Sequence, residues 1–505
     1  MKVVTAEEMY DMDHRTIQEI GIDGKLLMEN AGRAMAEQIA SVSDKMACIR
    51  VFAGGGNNGG DGFVIARVLL ELGVRVSVVQ VVPDEKIKGD ALFHKNLLIR
   101  CGGDVEVLME SAPIQAIARK TDIIVDAMLG IGVSGVLREP LAQIVKAVNE
   151  TDAYVIAVDI PSGLPANEES DDFQAVQADE TIIAGYPKVS AFLEKTAPYY
   201  GNWNTVSFGL PRTITAEHSH RQVWTPEMFQ KTMPERKPNA HKGNHGRGLV
   251  IGGNSEMPGS MAMTVSAALR TGAGLVTAAT VKEVIPTIAA HCAEATYLAL
   301  NDTDGYADGS SAIPFENFDA AVLGMGLGRR PEAAKIVQQA IKTRLPLIID
   351  ADGLFHLKGM LQHVKQREEP VVLTPHPGEM AMLLDIGVPE LLKSPFSYSK
   401  RFAEEYHVYV VLKGRFTIVT TPEGNQTVSD AGNSGLAKGG TGDVLSGVTL
   451  AMIMQKQPIP EALNNACFVH GKSAELLTKE THSVYDLMAT DVIKGIKKVY
   501  RTFQA

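Results

Sequence analysis

The feature that most restricts how this chain can fold is a unit that recurs along it: a short apolar run, a cluster of glycine, amide and acidic residues, then residues at helical spacing. Its clearest early copy is Ile49 to Ala53, followed by GGGNNGGDG and a helical pattern from Phe63 to Leu72. Strand, glycine-rich loop and helix in that order make the βα unit of a parallel sheet. Further strands are expected at Val74 to Val82, Val105 to Leu108, Ile123 to Asp126 and Tyr154 to Asp159. Upstream, Thr5 to Glu8 fits a capping box, and Leu26, Leu27, Ala31, Ala34, Met35 and Ile39 recur at helical spacing, so two helices precede the first strand.

The stretch Leu210 to Lys242 carries Pro211, Pro226, Pro234 and Pro238 with many charges and little periodicity, and reads as a connector. Beyond it the alternation resumes, with strands expected at Gly248 to Gly252, Leu275 to Ala279, Ala320 to Leu323, Pro346 to Ile349, Val371 to Leu373 and Val408 to Leu412. A chain of 505 residues exceeds what one core usually supports. The fold class expected is therefore α/β, two doubly wound α/β/α domains covering 1–220 and 221–505.

Composition narrows the function. Lysine and arginine number 48 against 59 acidic residues, a formal net charge of −11. That balance argues against broad binding to nucleic acid or an anionic membrane, so any anionic ligand must be held locally. Cys48, Cys101, Cys292 and Cys467 are scattered without metal or redox spacing, as expected of buried thiols in a reducing compartment. No apolar run is long enough to span a membrane and the N-terminus lacks a signal pattern, so a cytoplasmic location is expected.

Chemistry concentrates in Ala431 to Leu450, AGNSGLAKGGTGDVLSGVTL. Gly439, Gly440 and Gly442 permit a tight loop that opens into a helix, whose unpaired amides and positive dipole end form an anion cradle. Asp443 sits in that cradle, where a carboxylate can take the proton of a hydroxyl attacking a phosphoryl group. The competing reading is a glycine-rich turn with Asp443 as a helix cap. Other polar clusters follow expected strands: GMGLG at Gly324 to Gly328, DADG at Asp350 to Gly353, TPHPGE at Thr374 to Glu379 and KGRFT at Lys413 to Thr417. His376, between two prolines, is either a site residue or a turn residue bonded to backbone. In the first half the clusters Asn57 to Asp61, Asp126 to Gly135 and Asp159 to Ser162 should converge on one crevice, because open α/β sheets bind ligands outside the carboxyl ends of their strands. Gly54, Gly56 and Gly59 formally satisfy a dinucleotide fingerprint. The ribose-binding acid that should accompany it is not clearly present after Val78 to Val82.

Three first-half motifs together, NNGGDG at Asn57 to Gly62, DAMLGIG at Asp126 to Gly132 and DIPSGL at Asp159 to Leu164, resemble the NAD(P)H-hydrate epimerase domain, a Rossmann-like fold. The resemblance implies interconversion of the R and S hydrates of NADH and NADPH, with a potassium ion held by Asn58, Asp126 and Ser162. It implies substrate contacts from Asn57, Asn58, Gly59, Gly60 and Asp61, from Gly130, Ile131, Gly132, Val133, Ser134, Gly135 and Val136, and from Asp159. Asp159, at a strand end, is the candidate proton shuttle. Lys188 is either a second polar group of the site or a solvated loop cation.

The second half, with GLAKGGTGDVLSG, TPHPGE and KG in that order, resembles the ribokinase-like superfamily and within it the NAD(P)H-hydrate dehydratases that consume ADP or ATP. That resemblance implies Asp443 as the catalytic base and Lys413, Gly414, Arg415, Phe416, Thr417 and Gly442 as nucleotide contacts. Ser260, Gly326 and His376 would line the hydrate's site, with Mg²⁺ arriving on the nucleotide. The chain departs from the family patterns at Pro165, Val189, Ser190, Ser260 and Met325. A two-activity repair enzyme, acting on small molecules as a homo-oligomer, is the expectation. The rival is a ribokinase-like vitamin or sugar kinase with an accessory Rossmann-like binding domain.

Overall fold

The computed structural model describes all residues except 44–46, 109–120, 133–134, 170–171, 218–219 and 505. The chain divides into two compact units, Met1–Ser219 and His220–Ala505.

In the first unit seven strands form one parallel sheet: β1 (Ile49–Ala53), β2 (Val76–Gln80), β3 (Val105–Val107), β4 (Ile123–Ala127), β5 (Tyr154–Val158), β6 (Glu180–Ala184) and β7 (Asn202–Val206). Their order is β3-β2-β1-β4-β5-β6-β7, so the chain reverses direction across the sheet between β1 and β4. Period-two alternation covers both faces. Ile49, Val51, Ala53, Val125 and Ala127 enter one core with Met35, Ile39, Phe63 and Val68 from the helices Gly24–Val42 and Asn57–Glu71. Phe52 and Ile124 enter the opposite core with Ile144, Val145 and Val148 of the helix Leu141–Asn149. The capping box forms as expected, Thr5 and Glu8 each accepting the other's backbone N–H at the start of the helix Ala6–Arg15. Leu26, expected on the buried helical face, is instead exposed, because it lies in the first turn beyond the edge of the packed stripe.

The second unit holds a ten-stranded sheet. In chain order its strands are β8 (Arg221–Val223), β9 (Arg247–Ile251), β10 (Leu275–Val281), β11 (Thr296–Leu300), β14 (Ala320–Leu323), β15 (Leu347–Ile349), β16 (Val371–Leu373), β17 (Tyr409–Leu412), β18 (Thr417–Thr420) and β19 (Gln426–Ser429). β12 (Asp302–Thr303) and β13 (Tyr306–Ala307) pair separately as a hairpin. The order is β11-β10-β9-β14-β15-β16-β17-β18-β19-β8, parallel except where β18 runs against β17 and β19. The helix Thr441–Met454 is buried at every position from Val444 to Met454. At Gly447 a Cβ would lie 2.1 Å from the Thr264 carbonyl of the helix Pro258–Thr271, so these two helices touch backbone to backbone.

Two expectations need correction. Leu210 to Lys242 is not a structureless connector: it contains the helices Arg212–Glu217 and Pro226–Thr232, and β8 closes the edge of the second sheet by pairing with β19. Its prolines sit at or between element starts, and Pro226 takes the first helical position where a missing N–H costs nothing. The cluster Asn57 to Gly62 is not a loop before a helix but the first turns of the helix itself, since Gly59, Gly60 and Gly62 are buried where side chains would collide. β6, β7, β11, β18 and β19 lay outside the expected set. β7, β18 and β19 are rich in Thr, Ser, Asn and Gln, so they carry little of the apolar signal that marks a central strand.

Candidate active sites

In the first unit the carboxyl ends of β1, β4, β5 and β6 open on a cavity of about 390 Å³. Its position follows from topology, because the loops after β1 and β4 diverge at the reversal of strand order. Gly54 makes the crossing possible: a Cβ there would stand 1.9 Å from the Met128 carbonyl. The lining includes Asn57, Asn58, Asp61, Gly130, Ile131, Gly132, Asp159 and Lys188. Gly59 and Gly60 are packed beneath it in the helix, and Gly135 and Val136 do not line it. Val133 and Ser134 lie outside the described residues.

Asp159 is held in the left-handed region, φ 66°, a conformation that costs a non-glycine residue free energy and aims its side chain. Its Oδ1 accepts from Lys188 Nζ at 2.6 Å and from the Ala184 N–H at 3.1 Å. Lys188 is only 1% exposed, so it is a buried partner and not a solvated loop cation. Two further carboxyls share the cavity. Burial lifts Asp13 to about 6, Lys188 opposing and Asp159 adding to the shift. Burial, then Asp159 and Asp13, pushes Asp61 well above the carboxylate range.

Asn58, Asp126 and Ser162 meet around the main chain of Leu129. Ser162 Oγ donates to Asp126 Oδ1 at 2.5 Å and accepts from the Leu129 N–H at 2.8 Å, while Asn58 Nδ2 donates to the Leu129 carbonyl at 2.8 Å. The Ser162 N–H reaches Asp126 Oδ2 at 2.8 Å. Buried and without a cationic side chain, Asp126 rises to about 6. A carboxylate, a hydroxyl and an amide around one carbonyl are the oxygen donors that suit a hard cation and not a soft metal.

In the second unit Asp443 occupies the third position of the helix Thr441–Met454, behind Gly440 at φ 89°. That left-handed backbone favours glycine, and an added Cβ would also have to displace the end of the Met263 side chain, 2.6 Å away. Burial raises Asp443 to about 6; a hydrogen bond from Ser260 opposes the rise, Asp350 adds to it, Lys413 opposes it and Asp352 adds to it. Lys413, at the end of β17, donates to Asp350 Oδ1 at 2.7 Å and lies 3.9 Å from Glu379 Oε2. Burial alone would lower the Lys413 ammonium, but Asp350 and Glu379 outweigh it and the net shift is upward. Asp350 is itself buried, and its Oδ2 accepts from Ser446 Oγ at 2.5 Å. Gly442 faces the same ammonium, its Cβ direction pointing to Lys413 Nζ at 3.6 Å.

Gly326, φ 60°, passes beside Ser260 and Met257, which joins the GMGLG turn to the start of the helix Pro258–Thr271. His376 caps the helix Pro377–Leu384: its Nδ1 accepts from the N–H groups of Gly378 and Glu379 at 3.0 and 3.3 Å. That is the backbone-bonded turn anticipated as the alternative, yet the ring remains exposed with Nε2 3.5 Å from Glu379 Oε1. Arg415 stacks on Phe416, 4.5 Å from its ring centre, and pairs with Asp430 at 2.8 Å. Gly414 is exposed, and Thr417 opens β18.

Two family matches fall on these two units. Residues 24–190 match the YjeF-related protein N-terminus family, and residues 248–498 match the NAD(P)H-hydrate dehydratase family. Across its whole length the chain is 30% identical to the bifunctional NAD(P)H-hydrate repair enzyme Nnr of Moorella thermoacetica, covering 97% of that protein. The chain belongs to the bifunctional NAD(P)H-hydrate repair enzyme family. The member from Escherichia coli is 31% identical over 98% of this chain and 93% of its own, and that from Coxiella burnetii 32% over 96% of each. Among solved structures, the ADP/ATP-dependent NAD(P)H-hydrate dehydratase of Bacillus subtilis, co-crystallized with ATP/Mg²⁺, is 34% identical with a TM-score of 0.51, covering 56% of this repair-family chain and 99% of its own. The ribokinase-like expectation for the second unit therefore stands.

Several residues at the two sites of this family member escaped the sequence reading as individuals. Asp350, Asp352, Glu379 and Ser446 surround Lys413 and Asp443, although the first three lay inside quoted strand-end motifs. Their signal was position: each acid follows a parallel strand's carboxyl end. Asp13 and Tyr10 gave no comparable sign, because they sit on an ordinary amphipathic helix upstream of the sheet.

Proposed function

We propose that the protein repairs hydrated nicotinamide dinucleotides in two steps, the first unit interconverting the R and S hydrates of NADH and NADPH and the second dehydrating the S hydrate with ADP or ATP. Full-length similarity to repair enzymes supports the pairing of activities. The observation that carries the chemistry is Asp443: a carboxylate raised to about 6, at the mouth of a glycine loop, beside the Lys413 ammonium.

Asp443 takes the proton of the hydrate's hydroxyl as that oxygen attacks the nucleotide's terminal phosphorus. Lys413 and the positive N-terminal end of the helix Thr441–Met454 hold the phosphates and offset their charge. Hydroxide, a poor leaving group, thereby becomes phosphate; the ring nitrogen's lone pair expels it, and loss of a proton from the adjacent ring carbon restores the dihydronicotinamide. AMP or ADP and phosphate are released. Lys413, Gly414, Arg415, Phe416, Thr417 and Gly442 are assigned to the nucleotide, and Ser260, Gly326, His376 and Asp443 to the hydrate. Mg²⁺ would arrive with the nucleotide, as in the ATP/Mg²⁺ co-crystal of the Bacillus subtilis dehydratase. When bound, it would draw charge from those phosphates.

In the first unit we assign Asn57, Asn58, Asp61, Gly130, Ile131, Gly132 and Asp159 to the hydrate, with Asp159 moving the proton and Lys188 holding its carboxyl in place. Potassium suits Asn58, Asp126 and Ser162 for the reason given by their oxygen set. When bound, it supplies the positive charge that Asp126 lacks.

A panel of phosphoryl acceptors tests the reading: hydrated NADH, hydroxymethylpyrimidine and pyridoxal, each offered with ADP and with ATP. Conversion of the hydrate alone is expected. Accumulation of a phosphorylated vitamin would make the second unit a small-molecule kinase.

A further inference from the structure

The helix Ala6–Arg15 lies upstream of the sheet, and Asp13 precedes the matched region 24–190, yet this helix forms a wall of the first unit's cavity through Met9, Tyr10 and Asp13. It is fastened there by the segment before it. The Val4 N–H donates to the Pro187 carbonyl and the Val189 N–H to the Val4 carbonyl, both at 3.0 Å, which clamps the chain start against the loop carrying Lys188. A third tie runs from the Ala6 N–H to Asn167 Oδ1 at 2.9 Å. Three contacts for one short helix fix Asp13 relative to the Asp159–Lys188 pair.

Asp13 Oδ1 is buried and has no hydrogen-bond partner among the described residues. A buried carboxylate oxygen left bare costs more than a neutral carboxylic acid in the same place, because an unpaired charge loses more on leaving water than an unpaired hydroxyl does. Among the described residues lining the cavity one ammonium, Lys188, faces three acids, Asp13, Asp61 and Asp159, and it sits 2.6 Å from Asp159. The ion pair accounts for one negative charge. Neutrality of the remainder requires protons, and the upward shifts of Asp13, to about 6, and of Asp61 agree.

We infer that Asp13 is the proton donor for epimerisation, acting into the same cavity as the Lys188-bound Asp159. This rests on the first unit being an epimerase. The inverted carbon of the hydrate carries both a hydroxyl and the ring nitrogen. Asp13 gives its proton to the hydroxyl oxygen, the C–O bond breaks as the nitrogen lone pair forms C=N, and water departs. Water then adds to the other face; its oxygen forms the new C–O bond, the C=N pair returns to nitrogen, and the extra proton passes to Asp159. Return of that proton to Asp13 closes the cycle with no other reactant. Tyr10 on the same helix, Asp61 from the helix Asn57–Glu71, Asp90 from the helix Gly89–Arg100, and Asp159 and Lys188 from the strand ends are the titratable groups around this exchange.

The test follows conversion of the pure R hydrate to S without nucleotide, across pH, for the parent, D13N and D13E. The parent rate should fall above pH 6 as Asp13 loses its proton. D13N should be slower by about two to four orders of magnitude with that fall abolished, the usual worth of a general acid. D13E should recover part of the rate with a displaced fall. In H₂¹⁸O, each inversion should bring one solvent oxygen into the hydrate. Inversion without exchange, or D13N within about threefold of the parent and with its pH profile, overturns the role of Asp13. If D13N does not fold, a D13E profile identical to the parent's overturns it. A parent that never interconverts the epimers overturns the underlying epimerase reading instead.

Discussion

Replacing Asp443 with Asn separates catalysis from stability, because the two should move in opposite directions. Asp443 is partly buried, and its rise from 3.8 to about 6 means that the folded protein disfavours the ionised form. The folded value lies above the unfolded one, so this group costs nothing below pH 4 and its penalty develops as pH rises from 4 to 6. Two pKa units correspond to about 3 kcal/mol, an upper bound on what the neutral amide would recover at neutral pH. D443N should therefore melt several degrees higher than the parent at pH 7.5, with the gain vanishing near pH 4. Dehydration should fall by about two to four orders of magnitude, the usual loss when a general base is removed. In the parent the same titration should make dehydration climb between pH 5 and 7, since the base works only when ionised. Calorimetry over pH, paired with recovery of reduced-nicotinamide absorbance from the S hydrate, reads both effects. A D443N protein that keeps parental activity refutes the base. One that loses activity and stability together shows a structural role instead.

Other perturbations give equally specific outcomes. D159N should leave R hydrate unconsumed while S hydrate is still dehydrated, read by chromatography of the two epimers. K413M should weaken nucleotide binding and destabilise the second unit by about 3–5 kcal/mol, because Asp350 would be left buried without its ammonium; denaturant titration measures this. G440A should slow dehydration and lower the melting temperature, since the added methyl meets Met263 in a left-handed turn. Epimerisation should rise on adding potassium to the sodium-dialysed protein, and D126N should abolish that response.

The central strands were legible because they are buried on both faces: Ala320–Leu323 and Val371–Leu373 read as uninterrupted apolar runs and formed as such. The polar clusters after them were legible as site material, since a parallel sheet gathers its strand ends. The strands at the β8 end of the second sheet were not. β18 and β19 are paired on both sides and largely buried while β8 closes the edge, and their Thr, Gln, Ser and Arg side chains interrupt the apolar run that marks a buried strand. The Asp443 loop announced itself through its glycines, but the partnership of Lys413 with Asp350 did not. That contact joins positions 63 residues apart and depends on β15, β16 and β17 lying side by side. Lys188 likewise looked equally suited to solvent until the Val4 bridge placed it under the chain start.

The most direct measurement starts from pure R hydrate of NADH with Mg²⁺ and ADP or ATP, and follows absorbance of the reduced nicotinamide to its end point. Full return of absorbance is the predicted result, because R can reach NADH only by passing through both units. No return with either nucleotide, from a folded protein that also fails on the S hydrate, would contradict the account.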